Sequence, residues 1–148
     1  MLGLIHHAGI VASPESAKQF LKLARRVRPL KLIDSITIAQ WKCRCFLYGA
    51  VGDASSWRSY LEVVIPSGGP LLQWLKMHGE RASLHHVALH VLDADDTTRR
   101  LATQHVPMIS EHPVPGVAGT LVNFIHPSYA GVLLEIVQTP QRDGMFGG

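Results

Sequence analysis

Cysteine is scarce in this chain of 148 residues: Cys43 and Cys45, in "WKCRCFLYG", are the two present. Residues two apart share one strand face and point the same way, a poor geometry for a disulfide. No second pair exists to complete a zinc knot, so both are read as reduced and structural. Long apolar runs are missing too, and none approaches the roughly 20 residues that cross a bilayer. The start of the chain carries no basic segment followed by an apolar core and a small-residue cleavage site. The expectation is a soluble, cytoplasmic protein with no membrane partner. Charge of one sign is only mildly in excess, at a formal +3. The cations of "KLARRVRPLK" (Lys22, Arg25, Arg26, Arg28 and Lys31) suit a solvated helix end and its dipole. No aromatic platform or recognised motif accompanies them, so nucleic acid is not expected as a partner. With 47% apolar and 17% charged residues, the composition argues for an ordinary globular domain and against disorder.

What is present is one pattern written twice. "GLIHHAGIV" reads as a strand. It is followed by a helix over "SPESAKQFLKLARRV", with Ser13 as N-cap, Pro14 at the first helical position and Glu15 in the first turn. "LKLIDSITI", "WKCRCFLYG" and "RSYLEVVI" are three further strands. The order then repeats: strand "SLHHVALHV", helix "DADDTTRRLATQHV", and strands "VPMISEH", "GTLVNFIH" and "GVLLEIVQ". Between the halves, "PSGGPLLQWLKMHGERA" opens with turn residues and continues as a short amphipathic helix. The expected organisation is α+β and a single domain, 1–148. It divides into a first βαβββ module over 1–66, a linker helix over 67–82, a second module over 83–138 and a tail over 139–148. That tail is too rich in glycine and polar residues to bury much surface.

Each half starts on a His-His pair, and the two pairs are 79 positions apart (His6 to His85). Each half also ends on a strand with one glutamate inside an apolar run, Glu62 in "YLEVVIP" and Glu135 in "VLLEIVQ". A carboxylate there must be paired, coordinated or neutralised. Two imidazoles and two carboxylates in duplicated positions form a ligand set for one divalent ion: Co, Ni, Zn, Mn or Fe. For the four to converge, the first and last strands of each module must lie side by side, with the modules facing across a pseudo-twofold axis.

On these residues the chain resembles the vicinal oxygen chelate superfamily, the group of glyoxalase I and the extradiol dioxygenases, built from paired βαβββ modules. Its second half is most similar to the methylmalonyl-CoA epimerases, through "GERASLHHVALHVLDAD", "EHPVPGVAGTLVNFIHP" and "GVLLEIVQ". The resemblance implies a cupped mixed sheet of the glyoxalase-like fold. It implies metal ligands at His7, Glu62, His86 and Glu135, the second histidine of each pair, with His6 and His85 on the opposite strand face as structural residues. It also implies a small-molecule substrate, an acyl-CoA in the epimerase case. The ion would chelate the thioester carbonyl while the neighbouring carbon loses its proton.

The family's glutamate base on the third strand falls here near Arg44, which cannot act as a base. Strand parity groups Lys42, Arg44 and Phe46; if that face looks into the cup, Lys42 and Arg44 offer cations to a substrate carboxylate or phosphate. Glu135 is then the candidate catalytic base as well as a ligand. A glyoxalase I-like lyase or isomerase acting on another chelating substrate is the first alternative. A non-catalytic small-molecule-binding protein of the same fold is the second. An open sheet edge invites pairing with another chain, so a homodimer is expected.

Overall fold

A computed structural model of the chain describes residues 3–52, 59–128 and 133–140. Three expectations therefore fall partly outside the described residues: the start of the fourth strand at Arg58, Gly131 and Val132 of the last strand, and positions 141–148 of the tail. The first half folds as β1 (Ile5–Val11), α1 (Pro14–Val27), β2 (Leu30–Ile38), β3 (Cys43–Ala50) and β4 (Tyr60–Pro66). A short helix α2 (Gly69–Met77) follows. The second half folds as β5 (Ser83–His90), α3 (Ala94–Thr103), β6 (Val114–Pro115), β7 (Leu121–Phe124) and β8 (Leu134–Gln138). Among the described residues no helix is long and apolar enough to cross a membrane.

All eight strands form one mixed sheet in the order β2-β3-β4-β1-β5-β8-β7-β6. The order reads the same outward from the centre in both halves. β1 lies parallel to β4 and β5 parallel to β8, and the antiparallel β1–β5 pair joins the halves. The pseudo-twofold axis thus runs between β1 and β5, and the four central strands are the ones that carry the paired histidines and the two glutamates. This is the side-by-side arrangement that the duplicated sequence requires.

Both crossover helices start on side-chain caps. Ser13 Oγ accepts from the Ser16 amide at 3.0 Å, and Asp93 Oδ1 accepts from the Asp96 amide at 2.9 Å. Ala17 and Leu21 of α1 pack with Tyr48 and Val63, on one face of the first half-sheet. On the other face Val11, Cys43, Cys45, Leu47 and Val64 form a second cluster that includes Leu75 of α2.

One expected strand is corrected. "VPMISEH" contributes only a single bridge, Met108 to Ile125, and the edge strand is the two-residue β6. The buried amide of Asn123 replaces the ladder. Its Oδ1 accepts from the Ser110 amide at 3.2 Å, and its Nδ2 donates to the Ser110 carbonyl at 2.9 Å. A side chain that satisfies both backbone groups of Ser110 leaves nothing there for a neighbouring strand to pair with.

Candidate metal centre

His7, Glu62, His86 and Glu135 meet at one point, with one ligand atom from each within 4.8 Å of the others. His7 Nε2, His86 Nε2 and Glu135 Oε2 form a triangle with sides of 3.0, 3.1 and 2.9 Å. Glu62 closes the ring, with Oε2 at 3.6 Å from His7 Nε2 and Oε1 at 3.5 Å from His86 Nε2. None of the four residues exceeds 6% exposure.

The donor set fits a divalent ion on two physical grounds. Bonds of about 2.0–2.2 Å from one ion to nitrogen and oxygen place adjacent ligand atoms about 3.0–3.5 Å apart, close to the 2.9–3.6 Å separations seen here. The charge also fits. Among the described residues the ion pairs of Glu62 and Glu135 are with His7 and His86 alone, so two buried carboxylates lack any Lys or Arg. A dication would supply the missing charge.

In metal-free protein a proton takes that part. Burial disfavours the His86 imidazolium, but the charges of Glu135 and Glu62 and their hydrogen bonds outweigh it and raise its pKa to about 10. Burial also pushes Glu135 up, yet the charge of His86 and the bonds from both histidines bring it down to about 2. His6 and His85 behave oppositely: burial first, and the charge of the adjacent ring second, lower them to about 3 and about 4.

These shifts set a pH profile. A base raised by folding stabilises the native state below its unfolded value and loses that contribution as pH climbs through the folded one. His86 therefore costs metal-free protein stability between about pH 6.5 and about 10. His6 and His85 are depressed bases, so the unfolded chain takes up their protons first, and stability falls as pH drops from 6.5 toward 4 and 3. Glu135 adds a loss from 4.5 toward 2. The Tm of chelator-treated protein is expected to peak near pH 6.5 and to decline on both sides. Added metal flattens the alkaline side, because the ion displaces the His86 proton. A metal-free Tm that holds level across the alkaline range would contradict this pairing.

Gly9 positions the site without contributing a ligand. It lies opposite His86 across the β1–β5 pair, and a Cβ there would sit 2.0–2.4 Å from three atoms of the His86 ring. Reading the sequence for ligand types passed over this residue. The available signal was a glycine inside an apolar strand, which marks a close approach.

The adjacent histidines are also placed differently from expectation. Strand parity puts His6 and His85 on the face opposite the ligands, but the β1–β5 pair is irregular at two places. Ile5 and His7 oppose Leu89 and Ala88, leaving His6 as an extra residue; Gly9 and Ile10 oppose His86 and Leu84, leaving His85 as another. A bulge of this kind breaks the alternation. Both members of each pair consequently face the same cavity.

That cavity, of about 450 Å³, is walled mostly by apolar side chains, among them Trp41, Trp74, Val122 and Phe124. The carboxylates lining it are Glu62 and Glu135. On β3 it is Cys43 and Cys45, both buried and free, that face inward, with Sγ atoms 3.9 Å apart. Arg44 is corrected accordingly. It is exposed on the other face, its guanidinium 5.0 Å from the centre of the Phe46 ring, and Phe46 packs into the α1-side cluster. The more apolar phase of the strand, Cys43-Cys45-Leu47, is the one buried against α2. Lys42 does border the cavity, from a left-handed turn just before β3.

A curled eight-stranded mixed sheet of two βαβββ halves, with the candidate site on the four central strands, is a glyoxalase-like fold. Solved structures similar to this chain include several named methylmalonyl-CoA epimerase. One, in complex with methylmalonyl-CoA and NH4+, has a TM-score of 0.77 at 22% identity, with 94% of this chain and 96% of that one covered. The Mycobacterium tuberculosis protein has a TM-score of 0.78 at 24% identity, covering 94% and 89%. A Streptomyces coelicolor variant in complex with 2-nitronate-propionyl-CoA has a TM-score of 0.79 at 22% identity, covering 97% and 99%. At these identities the likeness establishes the fold. No protein-family profile matches the chain, and no curated protein matches its sequence.

Proposed function

We propose that this chain is a divalent-metal-dependent epimerase of the methylmalonyl-CoA epimerase type. The observation that carries the reading is the convergence of His7, Glu62, His86 and Glu135 in the wall of an apolar cavity. When bound by these four residues, the ion supplies Lewis acidity, which makes the proton on the carbon next to a thioester carbonyl removable near neutral pH. Glu135 is the catalytic base. It and Glu62 are the cavity's carboxylates, and Glu135 is the one nearer to both histidines, at 3.1 and 2.9 Å against 3.6 and 3.5 Å for Glu62. Glu135 takes the proton from one face of the carbon, a second protonated group on the other side delivers a different proton to the opposite face, and the centre inverts. The apolar walls keep bulk water from the carbanion-like carbon. Lys42, exposed at the border of the cavity, attracts the phosphates or carboxylate of an acyl-CoA.

A second reading is an isomerase of the glyoxalase I type. It is favoured by the lack of any lining carboxylate beyond the four donors among the described residues, since glyoxalase chemistry uses a glutamate ligand as its base. The separating experiment is direct. Metal-loaded protein is incubated in D2O with methylmalonyl-CoA, and in parallel with a glutathione hemithioacetal. The proposal expects deuterium at the thioester α-carbon together with interconversion of the epimers. Turnover of the hemithioacetal alone would transfer the protein to the second reading. Purified protein that holds no metal and gains no Tm with Co, Ni, Mn or Zn would overturn both and favour a binding protein. The homodimer is likewise proposed, from the open sheet edges at β2 and β6, and sedimentation velocity tests it.

A further inference from the structure

The first histidine of each pair takes no part in the reading above, yet both have the same relation to the site. His6 Nδ1 lies 2.7 Å from His7 Nδ1, and His85 Nδ1 lies 2.9 Å from His86 Nδ1. Adjacent residues of a regular strand point to opposite faces and cannot meet in this way. The two bulges make it possible, one in each strand, each at the first histidine of its pair. A contact built twice by two separate backbone irregularities has a common cause.

That cause lies in which ring nitrogen carries the proton. Two imidazole nitrogens at this separation share one hydrogen. If the first histidine donates it, the second must carry its own hydrogen on Nε2, which points into the cluster of donors and blocks it. If the second histidine donates, its Nε2 is the nitrogen that offers a lone pair to an ion once any second proton has left the ring. His7 Nε2 and His86 Nε2 are the atoms that face Glu135. A metal-bound histidine ordinarily gives its remaining N–H to a carboxylate or carbonyl, which fixes both tautomer and ring orientation. Here the acceptor is a neutral imidazole, which does the same without adding a third negative charge to a centre that already has two. The outer rings are themselves held. His6 sits against Tyr60 and His90, with centroids 5.1 and 4.9 Å away, and His85 is edge-on to Trp74 at 4.9 Å.

We propose that His6 and His85 are positioning residues, each accepting the Nδ1–H of the histidine that follows it and so holding that ring ready to bind metal through Nε2. The inference rests on the metal-centre reading and adds to it the origin of the doubled histidines.

The test compares His6→Leu and His85→Leu, which remove the acceptor, with His6→Asn and His85→Asn, whose side-chain oxygen takes nearly the place of Nδ1. Co(II) affinity is measured by competition calorimetry. Each leucine variant is expected to bind about 10- to 100-fold more weakly, with most of the loss recovered in the asparagine variant. Leucine variants that bind Co(II) as tightly as the unaltered protein overturn the proposal, as do asparagine variants no better than leucine. Nitrogen-15 spectra of the unaltered protein decide the matter should the leucine variants fail to fold. In the Zn(II)-loaded form His7 and His86 are expected to coordinate through Nε2 with Nδ1 protonated, and coordination through Nδ1 overturns it. Nitrogen–nitrogen coupling across the 6–7 and 85–86 contacts can be read with no metal present. A protein that binds no Co(II) yet shows that coupling with His7 and His86 as donors defeats the metal-centre reading and supports the hydrogen-bond assignment. The reverse donor assignment defeats the proposal itself.

Discussion

Glu135→Gln is expected to slow deuterium exchange at the substrate carbon on the order of 100- to 10,000-fold even at saturating metal, the range that a positioned base contributes. Glutamine keeps the size of the side chain and one acceptor oxygen but has no charge and takes no proton. Its effect on metal affinity is separate and also adverse. Glu135 Oε2 is 3.1 Å from His7 Nε2 and 2.9 Å from His86 Nε2, so the amide loses the anion that holds both rings. Its NH2 group would meet Nε2 atoms that are themselves committed to the ion. Exchange rates extrapolated to saturating Co(II) measure the first loss, and calorimetry with Co(II) measures the second. Full exchange at saturation would remove Glu135 from the role of base and leave it a ligand only.

Gly9→Ala is expected to eliminate stable metal binding while leaving the sheet intact. Carbon atoms in contact lie about 3.5–4.0 Å apart, whereas the added methyl would lie 2.0–2.4 Å from the His86 ring. The ring must therefore move by more than an ångström, and its contacts to His7 and Glu135 cannot survive that displacement. Gly9 has no positive φ, so alanine accepts the backbone as it stands, and the clash is with one side chain. Overpacking of this kind costs about 1–3 kcal/mol. A double-mutant cycle isolates the cause. In a His86→Ala background the same substitution should lower Tm far less, because the ring it strikes is gone. An equal loss of Tm in both backgrounds would show that Gly9 acts through something other than His86.

The four donors could be read from the sequence because each is expensive alone and each occurs twice. A glutamate within "LLEIV" or a histidine pair within an apolar strand has bland explanations singly. Duplication at matching positions leaves few of them, and it also indicates the central strands. The faces were harder. Alternation is a rule of regular strands, and the bulges at His6 and His85 suspend it at the place where the chemistry sits. Bulges arise from the register between β1 and β5, which neither segment records by itself. On β3 both phases carried a plausible set of side chains, and burial against α2 decided for Cys43 and Cys45 over Arg44. The expected strand at "VPMISEH" stopped short for a related reason, since at Ser110 the backbone's partner is the side chain of Asn123 and not a neighbouring strand.

The junction between β1 and β5 has a consequence for how such a molecule could have arisen. Either half alone owns one usable imidazole and one carboxylate, too few to grip an ion, and its first strand would be left with an unpaired side. A free-standing ancestor of half the length would have had to clasp a second copy of itself to gain both a covered strand and a closed ring of donors. Joining two copies in tandem turns that encounter between molecules into an intramolecular one, after which each copy can drift separately.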